Sequence, residues 1–168
     1  MRVRRGTTQD LPFLERMLFE VAFWGPDAER PTFDGFMSDP QLRKLLAGWG
    51  RPGDTVFVAE DQPGEMGAAW FRFWTNLDHS YGYVASNIPE LGLAVALKSR
   101  SKGAGRALLK ALIQEGQSRG LTGLSLSVDP SNHARALYES EGFTKVGESG
   151  TSWTYVLRFI PPPRSNSA

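Results

Sequence analysis

The stretch Arg100-Ser101-Lys102-Gly103-Ala104-Gly105-Arg106 sets three cations and two glycines between an apolar run and an amphipathic one. Helix N-termini leave backbone N–H groups unpaired and carry partial positive charge. Glycine lets an anion come close to that backbone. The chemistry on offer is phosphate or pyrophosphate binding by the backbone of this loop. Arg100, Lys102 and Arg106 add charge. A solvated basic turn ahead of a helix would use the same residues. The loop is not the nucleotide P-loop, because no Gly-Lys-Ser/Thr closes it, nor the dinucleotide G-x-G-x-x-G pattern.

Two blocks of residues extend this reading. The first is Pro89-Glu90-Leu91-Gly92-Leu93-Ala94-Val95, then R-x-x-G-x-G from Arg100 to Gly105, then Ala107-Leu108-Leu109. The second is Asn132-His133-Ala134-Arg135-Ala136-Leu137-Tyr138-Glu139, followed by Glu141-Gly142-Phe143. In this order and at this spacing they resemble the acetyl-CoA signature of the GNAT N-acetyltransferase superfamily. The resemblance spans Thr55 to Phe159 in element order and is specific from Glu90 to Phe143.

The resemblance implies that acetyl-CoA is the cosubstrate, with its pyrophosphate on the backbone from Ser101 through Lys102, Gly103, Ala104 and Gly105 to Arg106. It implies a pantothenate arm laid along Leu93, Ala94 and Val95 like an added strand. Asn132 would contact the amide arm, although a plain helix N-cap explains it as well. Tyr138 resembles the tyrosine that protonates the departing thiolate, or hydrogen-bonds to it; a core tyrosine beside Leu137 is the plainer reading. The acceptor is expected to be a primary amine on a small molecule, or on a peptide or protein. A non-catalytic acyl-CoA-binding module is the alternative outside enzymes. An alkyl ammonium with a pKa near ~10.4 must lose a proton before it can attack. Glu90 is the candidate base, since related enzymes often carry a carboxylate at the start of this strand. A strand-end surface charge fits equally, and Asp129, Asp78 and Glu60 are weaker rivals. Many relatives are homodimers, so a homodimer is expected.

Positioning these residues falls to a short list of elements. Val3–Arg5 reads as a strand. Asp10 offers an N-cap with Pro12 in the first turn, and Leu11, Leu14, Leu18 and Val21 recur at helical spacing. A second helix is expected from Asp39-Pro40 to Gly50, with Leu42, Leu45, Leu46 and Trp49 on one side. Phe23 to Met37 reads as loop with at most one helical turn. Strands are expected over Thr55–Glu60, Met66–Trp74 and Glu90–Leu97, with a turn at Gln62-Pro63-Gly64-Glu65 and a loop from Thr75 to Pro89. Gly105–Gly116 reads as a helix buried through Leu108, Leu109, Leu112 and Ile113, with Gly120 as its C′ residue. Leu124–Val128, helix Asn132–Ser140 and strands Phe143–Gly147 and Ser152–Phe159 complete the series. The fold class is therefore a mixed-sheet α/β domain with early and late hairpins and one parallel pair in the middle. Strand parity sets Glu90, Gly92 and Ala94 on one face and Leu91, Leu93 and Val95 on the other. Gly92 fits either a local irregularity or close side-chain packing. Phe23, Trp24, Phe33, Phe36, Trp70, Phe71, Phe73, Trp74, Tyr81 and Tyr83 divide between core and acceptor wall, with Trp70, Arg72 and Trp74 sharing the more polar strand face.

Bulk properties set the outer limits. The length of 168 residues suits one domain, read as residues 1–160, with Pro161-Pro162-Pro163 ending the last strand and a disordered tail to Ala168. Nineteen basic against 18 acidic residues, a net charge of +1, argues against a duplex nucleic-acid partner. No cysteine is present, which excludes disulfides and thiolate chemistry. No apolar run approaches the ~18–20 residues of a membrane span, and no apolar stretch follows the N-terminal arginines, so a soluble cytoplasmic protein is expected. His79 and His133 lie far apart in the chain, and no metal is expected.

Overall fold

The computed structural model describes residues 1–25, 29–62 and 64–160. A seven-stranded sheet runs through it in the spatial order β1-β2-β3-β4-β5-β7-β6. The strands are β1 (Arg2–Arg5), β2 (Thr55–Asp61), β3 (Gly64–Arg72), β4 (Glu90–Val95), β5 (Gly123–Val128), β6 (Thr144–Ser149) and β7 (Ser152–Arg158). Short connections force antiparallel pairing, as between β2 and β3 and between β6 and β7. β4 and β5 run parallel, because helix α4 (Ala104–Ser118) carries the chain back between them. Their ladder is minimal. Glu90 is the register partner of Ser125, and the Ser125 N–H donates to the Pro89 carbonyl at 3.0 Å. No register partners follow, so the two strands part toward their C-terminal ends.

Alternation along the strands builds two cores. On one face Leu108, Leu109 and Leu112 of α4 pack with Phe71, Leu91, Leu93, Leu124 and Leu126. On the other, Phe13, Leu14, Met17 and Leu18 of α1 (Leu11–Ala22) pack with Val56, Val58, Ala68, Trp70 and Ala94. Each such side chain contributes about 1.5–3 kcal/mol on burial. Gly120 has the left-handed backbone expected just past α4, at φ 69°. Gly92 is explained by packing. A Cβ there would fall 2.7 Å from the Trp70 indole, so the ring needs the bare strand.

Three local expectations are corrected. Asp10 does not cap α1 with its side chain. A 3-10 turn at Thr8–Asp10 intervenes, and the Asp10 carboxylate accepts the Thr7 N–H at 2.7 Å and pairs with Arg4 at 2.8 Å. The second helix is a single turn, α3 (Pro40–Arg43), after α2 (Phe33–Met37). Beyond α3 the Arg72 guanidinium takes the Lys44 and Ala47 carbonyls, which a continuing helix would use, and Gly48 and Gly50 turn left-handed. Leu42, Leu45, Leu46 and Trp49 still reach the α1-side core. The helix expected from Asn132 begins two residues later, as α5 (Ala134–Ser140). The proline stop and tail expected at 161–168, and Pro63 of the β2–β3 turn, lie outside the described residues. Among the described residues no helix is long and apolar enough to cross a membrane.

Candidate cofactor and acceptor site

After β4 the chain makes a 3-10 turn at Leu97–Ser99 and enters α4 at Ala104. Ser101 (φ 62°) and Gly103 (φ 85°) both take left-handed backbone between these points. For Ser101 that conformation is strained by the order of 1–2 kcal/mol. Strain of this kind gathers where backbone groups must point one way. Among the described residues, none of the N–H groups from Ser101 to Arg106 has a backbone partner. A Cβ at Gly103 would meet nothing within 4 Å, so open space lies over the loop. Of the cations, Arg106 is committed to Glu141, and Arg100 donates to the Val95 carbonyl at 3.3 Å. Lys102 is exposed. Gly105 lies against Leu137, Val95 and Leu93, with 3.5–3.8 Å from its would-be Cβ to each. The loop, the end of β4 and α5 therefore converge.

β4 is zipped to β3 along Leu91–Val95, with Leu93 opposite Ala69, Ala94 opposite Ala68 and Val95 opposite Gly67. Its other edge has no register partner after Glu90. An extended arm can pair there as an added strand would. Asn132 accepts the Ala134 N–H at 2.9 Å through its side-chain oxygen, an Asx turn one residue ahead of the helix N-cap, which is His133 and not the Asn132 expected. Its amide NH₂ is not used in that bond. Tyr138 is 5% exposed within the α4-side core, edge-on to Phe143 at 5.9 Å. Burial pushes its phenol well above the ordinary value.

Glu90 opens onto the opposite face. Its carboxylate accepts the Gly82 N–H at 2.9 Å. A Cβ on Gly82 would fall 2.9 Å from the Glu90 carboxyl carbon and 2.8 Å from the backbone of Leu126 and Ser127. One glycine thus separates the carboxyl from β5 where the strands part. Burial pushes the Glu90 carboxyl up to about 7, against the pull of Ser80, Gly82, His79 and Lys44. The rival carboxylates are otherwise engaged. Asp129 is only partly exposed and is held low by Ser131, Asp78 pairs with Lys44 at 3.4 Å, and Glu60 pairs with Arg4 across β1 and β2.

Beside Glu90's partners lies a cleft of about 490 Å³, whose walls include Lys44, His79, Ser80, Tyr83, Glu148 and Thr154. Tyr83 stacks on His79 at 4.5 Å, and Tyr81 stands exposed at the rim. A shallower recess of about 880 Å³ by Met1, Arg2 and Glu60 lies at the β1–β2 edge, away from Glu90 and the glycine loop. The Trp70/Trp74 face is not the polar wall expected of it. Trp70 is core, Trp74 is buried beneath Lys44 and Arg51, and Arg72 is sealed against Asp54 at 2.7 Å with both side chains 2% exposed. Phe23, Phe33 and Phe36 cluster around Phe19. Sequence reasoning missed Lys44, Ser80, Gly82 and Ser125, which lie on irregular or distant segments; the one available signal was the glycine in Tyr81-Gly82-Tyr83.

Comparison with known proteins agrees with this architecture. Over 77 residues the chain is 36% identical to mouse N-acetyltransferase family 8 member 3, a match covering 45% of this chain and 33% of that protein. The chain thus spans about a third of the length of the curated relatives it matches. A ribosomal-protein-alanine N-acetyltransferase from Brucella melitensis superposes with a TM-score of 0.68 at 22% identity, over 95% of this chain and 100% of that one. The acetyltransferase yncA of Salmonella typhimurium, solved with its cofactor acetyl-CoA, superposes with a TM-score of 0.65 at 21% identity, over 100% and 99%. At such identities these likenesses concern the fold. The acetyltransferase (GNAT) family model matches residues 21–143, and the chain belongs to that family.

Proposed function

We propose that the chain is an N-acetyltransferase that moves the acetyl group of acetyl-CoA directly onto a primary amine. One observation carries this reading: the parting of β4 and β5 has unpaired backbone N–H groups and a buried phenol on one side, and on the other a carboxyl beside residues that line a cleft. Two substrates can meet through such a gap.

The residues present fit coenzyme A. Unpaired N–H groups from Ser101 to Arg106, with open space over Gly103, suit a pyrophosphate. The bare edge of Leu93, Ala94 and Val95 suits the amide arm, with Asn132 beside it. Bound acetyl-CoA supplies an activated thioester. Glu90, titrating near neutrality, takes the proton of the incoming ammonium. The freed amine attacks the thioester carbonyl, and the tetrahedral intermediate collapses with loss of the thiolate, which takes up the second proton that the nitrogen releases. The Tyr138 phenol donates a hydrogen bond to that sulfur. Its raised pKa lies above the ~8.5 of a thiol, so it steadies the thiolate while keeping its own proton in the ground state.

Thiol release from acetyl-CoA across a panel of alkyl and aromatic amines, amino acids and peptides tests the proposal. Turnover with a primary amine, and an N-acetyl product by mass spectrometry, is the expected result. Acetyl-CoA binding with no acceptor turned over would make the chain an acyl-CoA-binding module instead. Preference for peptides over free amines would assign it a peptide N-terminus or lysine. Light scattering checks the homodimer that the family resemblance implies.

A further inference from the structure

Ser125 carries a hydroxyl with nothing to bond. The residue is 0% exposed, and among the described residues its Oγ is the buried side-chain polar atom without a hydrogen-bond partner. An unsatisfied group of this kind is destabilising, whereas an alanine of nearly the same shape would carry no such penalty. Its position suggests a use. Leu124, Leu126 and Val128 point into the α4-side core, so Ser125 points to the opposite face of β5. That face carries Ser127 and, across the β5–β7 ladder, Thr154 of the cleft wall. Ser125 is also the register partner of Glu90, at the root of the gap over which the Glu90 carboxyl reaches to Gly82.

We propose that Ser125 is a positioning residue for Glu90: its hydroxyl holds one water against the Glu90 carboxyl, and that water carries the proton from the incoming ammonium. The inference rests on the base role proposed for Glu90. In the step, an N–H bond of the ammonium breaks and its proton passes to the water. The water gives a proton to the Glu90 carboxylate, and the amine keeps the electron pair that attacks the thioester. The Ser125 hydroxyl emerges unchanged, and Glu90 returns the proton to solvent after product leaves. The water has three polar partners, Ser125, Glu90 and the amine, the number that fixes a buried water. The charged and titratable groups facing Glu90 are the same in any Ser125 variant. They are His79 from the loop, Lys44 with its partner Asp78, Arg72 of β3 held by Asp54, and Glu148 across the cleft.

The test compares Ser125→Ala and Ser125→Thr with the parent. Carboxyl ¹³C NMR follows the Glu90 titration, its signal assigned with Glu90→Gln, and steady-state kinetics use an amine found by the acceptor panel. Ser125→Ala is expected to melt at or above the parent temperature, since it removes an orphaned hydroxyl. Its Glu90 midpoint should rise by about 0.5 pH unit or more as the carboxylate loses its water. Its kcat should fall about tenfold, with KM for acetyl-CoA within about twofold. Ser125→Thr keeps the hydroxyl and should restore both. An unmoved Glu90 midpoint in Ser125→Ala overturns the proposal, and so does a fall in kcat that merely tracks a lower melting temperature. A parent that acetylates no amine, with the midpoint still shifting, overturns the transfer reaction and leaves the Ser125–Glu90 contact standing.

Discussion

Replacing Glu90 by Gln keeps the side chain's shape and its acceptance of the Gly82 N–H while removing its charge. Burial, the largest influence, lifts the folded carboxyl to about 7 from an ordinary 4.5; Ser80, Gly82, His79 and Lys44 pull the other way. Between those two values the folded chain holds a proton that the unfolded chain has lost. The group's stabilising contribution is therefore fully present below 4.5 and is lost as pH rises through about 7. Taken at full value the difference is about 3 kcal/mol. Glu90 is only half-buried, and water entry reduces this to roughly 1–2 kcal/mol. For a chain of this size that corresponds to about 3–8 °C in melting temperature. Calorimetric melts of parent and Glu90→Gln at about pH 5 and about pH 8.5 make the measurement. The variant should gain on the parent by that amount on going to the higher pH. Kinetics supply the second half: kcat/KM of the parent should rise with pH to a midpoint near 7, and the variant should lose that limb with about 10²–10⁴ in rate. Melting curves that stay parallel at the two pH values, with the limb retained, would refute both the buried carboxyl and its role as base.

Tyr138→Phe keeps the contact with Phe143 and removes the donor to sulfur, so kcat should fall at least about tenfold with KM for acetyl-CoA little changed, measured by thiol release at matched stability. Gly103→Val meets no neighbour but forces a β-branched residue to φ 85°. It should weaken acetyl-CoA binding about tenfold or more by calorimetric titration while lowering stability by only about 1–3 kcal/mol. Arg72→Ala strands a buried Asp54 and frees the Lys44 and Ala47 carbonyls, and urea unfolding should register a loss of about 3–5 kcal/mol. Arg72→Met together with Asp54→Asn should recover much of that loss, because the uncompensated charge disappears.

The glycine loop was legible because its residues are adjacent in sequence, whereas Tyr138 was singled out by the family resemblance of the block around it. Two glycines ahead of an amphipathic run, and a tyrosine six residues after Asn132, each leave their marks within a short stretch of chain. The early and late hairpins and the central parallel pair were legible from the order and spacing of the strands, whereas the pairing of β1 with β2 and of β5 with β7 was not. The α3 region was not, because the guanidinium that interrupts it comes from Arg72, on a strand far along the chain. Helical spacing of Leu42, Leu45, Leu46 and Trp49 survives in a run of turns, since burying the same side of the chain does not require an unbroken helix. Asp10 has cap chemistry, yet a long-range partner, Arg4, claims its carboxylate. Which aromatics line the acceptor cleft was not legible for a related reason. Strand parity identifies which residues share a face and leaves open what covers that face, and α1 covers Trp70.

On the proposed function, the weak β4–β5 pair lets one sheet hold two substrates. β4 is fixed by its ladder to β3 from Gly92 opposite Trp70 to Val95 opposite Gly67, and β5 by its ladder to β7 from Gly123 to Val128. Each strand is thus held by its other neighbour and by α4, and opening the seam between them sacrifices only a few of the sheet's hydrogen bonds. On that proposal the seam's exposed edge would take an extended arm, with the N-terminus of α4 at one end for phosphate. At the closed end stand Glu90 and Ser125, the last residues to face each other across it. A fully zipped parallel pair would add ladder bonds worth about 0.5–1.5 kcal/mol each and would close the route between the phosphate loop and the acceptor cleft. Polar residues on the cleft face of β5 and an apolar row on its α4 face follow from that division. The strand is buried on one side for stability and kept chemically usable on the other.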